Sequence, residues 1–189
     1  MTEHTVEQMG PRRTAVFLAL LVGAGVAVAL GVYGRVHTPD YDVLPSMGFS
    51  STGTFKAWAT SLVLLLALGQ LVSALWLYGR LPGVAPAPSW LGPAHRTFGS
   101  LAFVVSLPVA FFCLYGFGFA QMPWSARILV HSLAGCAFYG AFAAKVVLVH
   151  SRRIPGWALP VAGGLLLTTV VLLWLTGSWW FFGVEGVHG

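Results

Sequence analysis

Three histidines and one lysine stand inside long apolar stretches of the chain: His95, His131, His150 and Lys145. An ionisable side chain in hydrocarbon is costly, so each is a candidate for function. Neutral imidazole binds haem iron and other transition metals, and it also carries protons. Two of these histidines share a local pattern. His95-Arg96-Thr97-Phe98-Gly99 and His131-Ser132-Leu133-Ala134-Gly135 both read H-x-x-x-G. Residues four apart lie on one helix face, so each imidazole has bare backbone one turn away. A haem macrocycle lies close to the helix that supplies its ligand, and Gly99 or Gly135 removes the Cβ that would strike the ring. Glycines at this spacing also serve plain helix packing, and both readings stand at this point.

At helical periodicity, Arg127, His131, Gly135, Phe138, Phe142 and Lys145 fall on one stripe. Arg127, one turn outward of His131, is placed to meet a haem propionate or to reach the outer head groups. Phe138 and Phe142 would line the space further in, and Lys145 would sit near an inner propionate or an acidic lipid. A rise of about 1.5 Å per residue puts His95 and His131 roughly 25 Å apart along the membrane normal, too far to share one iron. Each therefore needs a partner at its own depth. The inner candidate is His150, which precedes Ser151-Arg152-Arg153 and reads equally well as part of a basic boundary. The outer candidate is His37, in Arg35-Val36-His37-Thr38-Pro39. His188 is a weaker alternative in a Gly-rich tail, and His4 lies in a polar tail. Cys113 and Cys136 are read as buried apolar side chains, not as a disulfide framework. Gln70 and Ser73 are read as interhelical hydrogen-bonding groups, and Pro108 as a kink.

These groups need a scaffold, and composition says which. Of 189 residues, 57% are hydrophobic and 8% charged, and the mean hydropathy is +0.81. A soluble domain carries about a quarter charged residues, so a water-soluble globule is excluded, as is disorder. The formal charge is +5, with ten Lys and Arg mostly at segment ends, a membrane pattern and not a nucleic-acid footprint. The absence of Asn and the excess of Arg over Lys hint at GC-rich coding and a bacterial source. Five apolar stretches, near 14–34, 55–79, 95–119, 126–150 and 156–182, are long enough to span a bilayer and lack the alternation of barrel strands. The expected fold is all-α, a single integral membrane domain of about five spanning helices. The first stretch is longer than a signal h-region and is read as a retained helix.

Arg12, Arg13, Arg80, Arg96, Arg152 and Arg153 fall on one side, against Arg35, Lys56 and Arg127 on the other. The bias predicts a cytoplasmic N-terminus and an outer C-terminus in the cell membrane. Trp90, Trp124, Trp157, Trp179 and Trp180 fall near the two interfaces. All five acids are placed in tails or loops, which counts against a cation-coupled transporter. No nucleotide-binding glycine motif and no repeat of fixed period is present.

The segment Val130-His131-Ser132-Leu133-Ala134-Gly135 resembles the H-S-x-x-G stretch of cytochrome b561-type membrane haem proteins, and His95-Arg96-x-x-Gly99 resembles the H-R-x-x-G of bacterial members. The resemblance implies haem ligands alternating between two membrane depths, as His95 and His131 do. The second and fifth spans carry no histidine, leaving His37 and His150 as substitutes. The chain as a whole also resembles a family of small bacterial integral membrane proteins, through H-R-x-x-G, Ser106-Leu107-Pro108, Cys113, and His131 to Lys145. The expectation is a b-type cytochrome with one or two haems on His95, His131, His37 and His150. It would pass electrons through or into the bilayer, with a quinone or a redox protein as partner. The alternative is a cofactor-free anchor, an oligomer or accessory subunit of a membrane complex. A transporter ranks below both.

Overall fold

The computed structural model describes residues 11–42, 45–120 and 125–187, with side chains from residue 13 onward. His4, His188, Trp124 and the Arg12 side chain lie outside them. The described residues form no strand; five helices are long and apolar enough to cross a membrane. They are α1 (Pro11–Val36), α2 (Thr52–Leu77), α3 (Leu91–Phe117), α4 (Ala126–His150) and α5 (Ala158–Glu185). The protein is an all-α, multi-pass membrane protein.

Hydropathy locates these spans to within a few residues, and local chemistry sets their ends. Ser51 caps α2 by accepting a 3.0 Å hydrogen bond from Thr54 N, and Ser125 caps α4 with a 3.3 Å bond from Ile128 N. The fifth helix runs past its expected end at 182 to Glu185, so one acid lies in a spanning helix and not in a tail.

Two helices change pitch near the same end of the bundle. In α3 the residues Phe112–Phe117 are π-helical, and in α5 the residues Leu175–Trp179 are. The first π turn begins one turn after Pro108, which lacks an N–H and cannot close the ladder behind it.

Packing follows the small residues. The closest crossing joins α1 to α4, where a Cβ on Gly23 would stand 2.7 Å from Gly140 O and one on Gly140 would stand 2.6 Å from Gly23 O. Each glycine is followed four residues later by alanine, Ala27 and Ala144, which extends the shallow groove. Around α4 the order is α1 on one flank and α5 on the other, while α2 packs on both α3 and α5. Helices α3 and α4 meet instead through large side chains. Phe103 stacks on Phe142 at 4.1 Å, and the Tyr139 hydroxyl donates to Ser106 O at 2.9 Å. Val63, Ala102, Phe138 and Val170 close the core where α2, α3, α4 and α5 converge. Those bulky spacers hold α3 and α4 apart, and the space that results is the candidate site.

Candidate functional site

A cavity of about 510 Å³ opens between α2, α3, α4 and α5 in the half of the bundle opposite the arginine-rich helix ends. Its walls are mainly apolar, with Val63, Phe138 and Val170 as its floor. The polar groups on the wall are few: Lys56, Ser106, Cys113, Arg127, His131, Tyr139, Thr176 and Ser178 among them, with Glu185 at the last turn of α5. An apolar pocket with a few convergent polar groups is the usual form of a small-molecule site.

His131 is held by α5. Its Nδ1 lies 2.9 Å from Thr176 Oγ1, while the threonine hydroxyl donates its one proton to Leu172 O at 2.5 Å. The threonine oxygen must then accept, so Nδ1 carries the imidazole proton and Nε2 of the neutral ring keeps its lone pair. The ring fits because residue 177 is glycine; a Cβ there would stand 2.9 Å from His131 Cε1. The π turn Leu175–Trp179 brings Thr176 and Gly177 to this wall together, as π turns often do at functional sites. Ser178, 2% exposed, lines the same cavity, and its hydroxyl finds no hydrogen-bond partner among the described residues.

The π turn of α3 brings Cys113 to the same cavity, which His131 and Lys56 also line. Lys56 also stands 3.7 Å from the centre of the Phe117 ring. Arg127 donates to Thr176 O at 2.7 Å and lies 3.8 Å over the Trp180 ring. Neither cation meets a carboxylate among the described residues; aromatic faces and a carbonyl stand in its place. Sequence counts Lys56 only among the boundary charges of the outer side, yet it lines the cavity together with Arg127.

The residues singled out from sequence are distributed unevenly around this site. Arg127, His131 and Gly135 line it together. The space beside Gly135 is open: a Cβ there would have only Leu173 near it, at 3.9 Å. Phe138 lines the cavity too, whereas Phe142 is taken up by Phe103. His37 does not line it. Its ring stacks on Tyr33 at 5.1 Å and lies tilted against Tyr115 at 4.7 Å, with Nε2 buried and unpartnered among the described residues.

At the arginine-rich end, His95 Nδ1 lies 2.8 Å from Ser73 Oγ, and Gln70 Nε2 donates to the His95 carbonyl. Gly99 admits the Gln70 side chain, whose Oε1 would be 3.1 Å from a Cβ there. Lys145 lies within electrostatic reach of His95. His150 is exposed, and its Nδ1 donates to Val146 O at 2.9 Å, one turn back on its own helix. No contact among the described residues joins His150 to His95.

Sequence reasoning passes over Lys56, Cys113, Tyr139 and Thr176-Gly177-Ser178 as parts of a site. The last of these carries a legible signal, a polar triplet interrupting the apolar end of the fifth span. Among the described residues, no group of three or more His, Cys, Asp or Glu side chains is gathered to hold a bare metal ion.

A family model described as a family of unknown function (DUF6529) matches residues 16–189, and the chain belongs to that family. No curated protein and no solved structure matches it. None of these comparisons shows a likeness to cytochrome b561 proteins.

Proposed function

We propose that the protein is a b-type haem protein of the cell membrane that transfers electrons, with one haem seated between α2, α3, α4 and α5 on His131. The observation that carries this reading is the state of His131. One ring nitrogen is tied to Thr176 and the other faces a largely apolar cavity of about 510 Å³. A carbonyl, carboxylate or hydroxyl partner on the remote nitrogen is the usual support of an imidazole that binds iron.

Haem, when bound, supplies a one-electron couple and four of the nitrogens around its iron. The chain supplies the rest. His131 Nε2 would hold the iron, and Gly135 leaves the flank of α4 open to the group. Lys56 and Arg127, which meet no carboxylate among the described residues, would neutralise the two propionates at the outer end. The apolar floor excludes water and so tunes the potential. One haem fits the arrangement better than two, since of His37, His95, His131 and His150 only His131 lines the cavity.

The electron donor in this reading is a quinol reaching the site from the bilayer, or a redox protein docking at the outer end. The N-terminus is cytoplasmic and the C-terminus outside, on the arginine bias. The test is a visible spectrum of the detergent-purified protein expressed with ample haem, oxidised and then reduced. A reduced α-band that is lost in His131→Ala is expected. Wild-type protein without iron would reject the proposal and favour the anchor reading.

A further inference from the structure

We infer that Lys145 and Arg96 hold the phosphate of an acidic phospholipid at the arginine-rich end of the seam between α3 and α4. The site lies at the end of the bundle remote from the cavity, and it stands whether or not haem binds.

The course of α1 leaves this seam open. Helix α3 packs broadly only on α2, while α4 lies between α1 and α5. The helices α3 and α4 face each other across the Phe103–Phe142 stack and the Ser106–Tyr139 hydrogen bond. At the cavity end α1 bridges them: Phe119 N donates to Gly34 O at 2.8 Å, and Asp40 N to Tyr115 O at 3.1 Å. At the arginine-rich end α1 has crossed away from α3, and Ala19 packs against Leu148, Ala158 and Ala162 of α4 and α5. Beyond Phe103 and Phe142 the seam therefore faces lipid, and Val146 and Val149 of α4 are exposed there.

Two cations flank the opening. The Phe103–Phe142 and Ser106–Tyr139 pairs set an antiparallel register, in which the arginine-rich end lies toward lower numbers on α3 and higher numbers on α4. Arg96 stands two turns from Phe103 on the same side of α3, and Lys145 one turn from Phe142 on α4. Their Cα atoms differ by about 6 Å in depth, at about 1.5 Å per residue, a gap that two long side chains close. Lys145 is half-buried and lies inside the last two turns of α4. It takes no hydrogen bond or ion pair among the described residues, and neither does Arg96. The cations of the other end are all engaged: Arg35 donates to Ala120 O, Lys56 lies over Phe117, and Arg127 lies over Trp180.

No described acid can answer these two charges. Asp40, Asp42 and Glu185 all lie at the cavity end, whereas Arg13, Arg80, Arg152 and Arg153 stand at the same end as Lys145. A half-buried ammonium among further cations carries a desolvation cost that an anion would offset. A phospholipid brings that anion at head-group depth, together with an acyl chain to cover the exposed valines. Basic pockets between helix ends are a known seat for acidic head groups. With no described carboxylate there to receive a choline ammonium, the site selects lipids of net negative charge.

The test uses the full chain, delipidated in a neutral detergent and titrated with phosphatidylglycerol, phosphatidylcholine or inorganic phosphate. Native mass spectrometry counts bound lipid, and thermal unfolding follows stability. Phosphatidylglycerol is expected to bind saturably and raise the melting temperature, while phosphatidylcholine and inorganic phosphate do neither. Lys145→Gln and Arg96→Gln should each weaken that binding roughly 5-fold, and Lys145→Arg should retain most of it. Arg152→Gln, which removes a boundary charge away from the seam, should change it less than about 2-fold. Val149→Trp keeps both cations and should block the seam with a similar loss. The inference is overturned if phosphatidylcholine binds as tightly as phosphatidylglycerol, or if inorganic phosphate gives the same stabilisation. It also fails if Arg152→Gln costs as much as Lys145→Gln, which would mark a general basic boundary. Should Lys145→Gln fail to fold, unchanged lipid binding in Val149→Trp would overturn it equally.

Discussion

Thr176 Oγ1 holds His131 Nδ1 at 2.9 Å, and the same hydroxyl is anchored to Leu172 O. The geometry fixes both the tautomer and the tilt of the imidazole. Thr176→Val keeps the shape and removes the acceptor. It should lower hemin affinity by about 10- to 100-fold, as losses of a ligand's supporting hydrogen bond commonly do. Thr176→Ser should retain most of it. Hemin titration of the two variants checks this.

Gly177 gives the imidazole its room. A methyl at this position would lie 2.9 Å from His131 Cε1, and a ring that retreated into the cavity would strain its bond to Thr176. Gly177→Ala should cost about 1–3 kcal/mol in stability or displace the ring. Either effect appears as a lower detergent melting temperature or a weakened α-band. Gly135→Leu should fill the open side of α4 and exclude haem without touching His131.

Arg127 is expected to act on potential more than on binding. A unit charge about 10 Å from a redox centre, in a medium of dielectric about 20, is worth about 1.7 kcal/mol, or about 70 mV for one electron. A cation favours the reduced state. Arg127→Gln should therefore lower the midpoint potential by some tens of millivolts with haem still bound, as measured by redox titration.

The sequence discloses the spans and the stripe of α4, and little of what faces them. Apolar length is a one-dimensional property, so hydropathy alone returns the actual bounds of 126–150 and those of α1 to within a few residues. Arg127, His131 and Gly135 share a face because all three lie on one helix of regular pitch. Thr176, Cys113 and Lys56 come from three other helices, and their meeting depends on which helices pair and on two π turns. No periodicity in the sequence encodes either. Gly99 shows the same limit from the other side: its spacing to His95 matches that of Gly135 to His131, yet a neighbouring helix fills the gap with Gln70.

The crossing of α1 and α4 is testable apart from any cofactor. Gly23→Leu should destabilise the protein by about 1–3 kcal/mol or detach α1, because the side chain would enter the Gly140 backbone. Gly25→Leu, where no atom lies within 4 Å of the Cβ position, serves as the control. Thermal unfolding in detergent distinguishes them.

Topology can be read with reporters. A fusion after Gly189 should be active outside the cell, and one near Pro86 only in the cytoplasm. The opposite pattern would invert the proposed faces.

The π turns Phe112–Phe117 and Leu175–Trp179 have a consequence for inheritance. Each can be regarded as one residue more than the helix needs, absorbed locally as a wider coil. Removing that residue would let the helix regain its ordinary pitch at no cost to hydropathy or length of span. Everything beyond it would turn by about 100°, carrying the far end of α3 or α5 away from the cavity. A descendant with such a deletion would still insert as five helices while its chemistry was erased. Among relatives of this chain, alignment gaps at these two places would therefore separate members that share the site from those that share only the bundle.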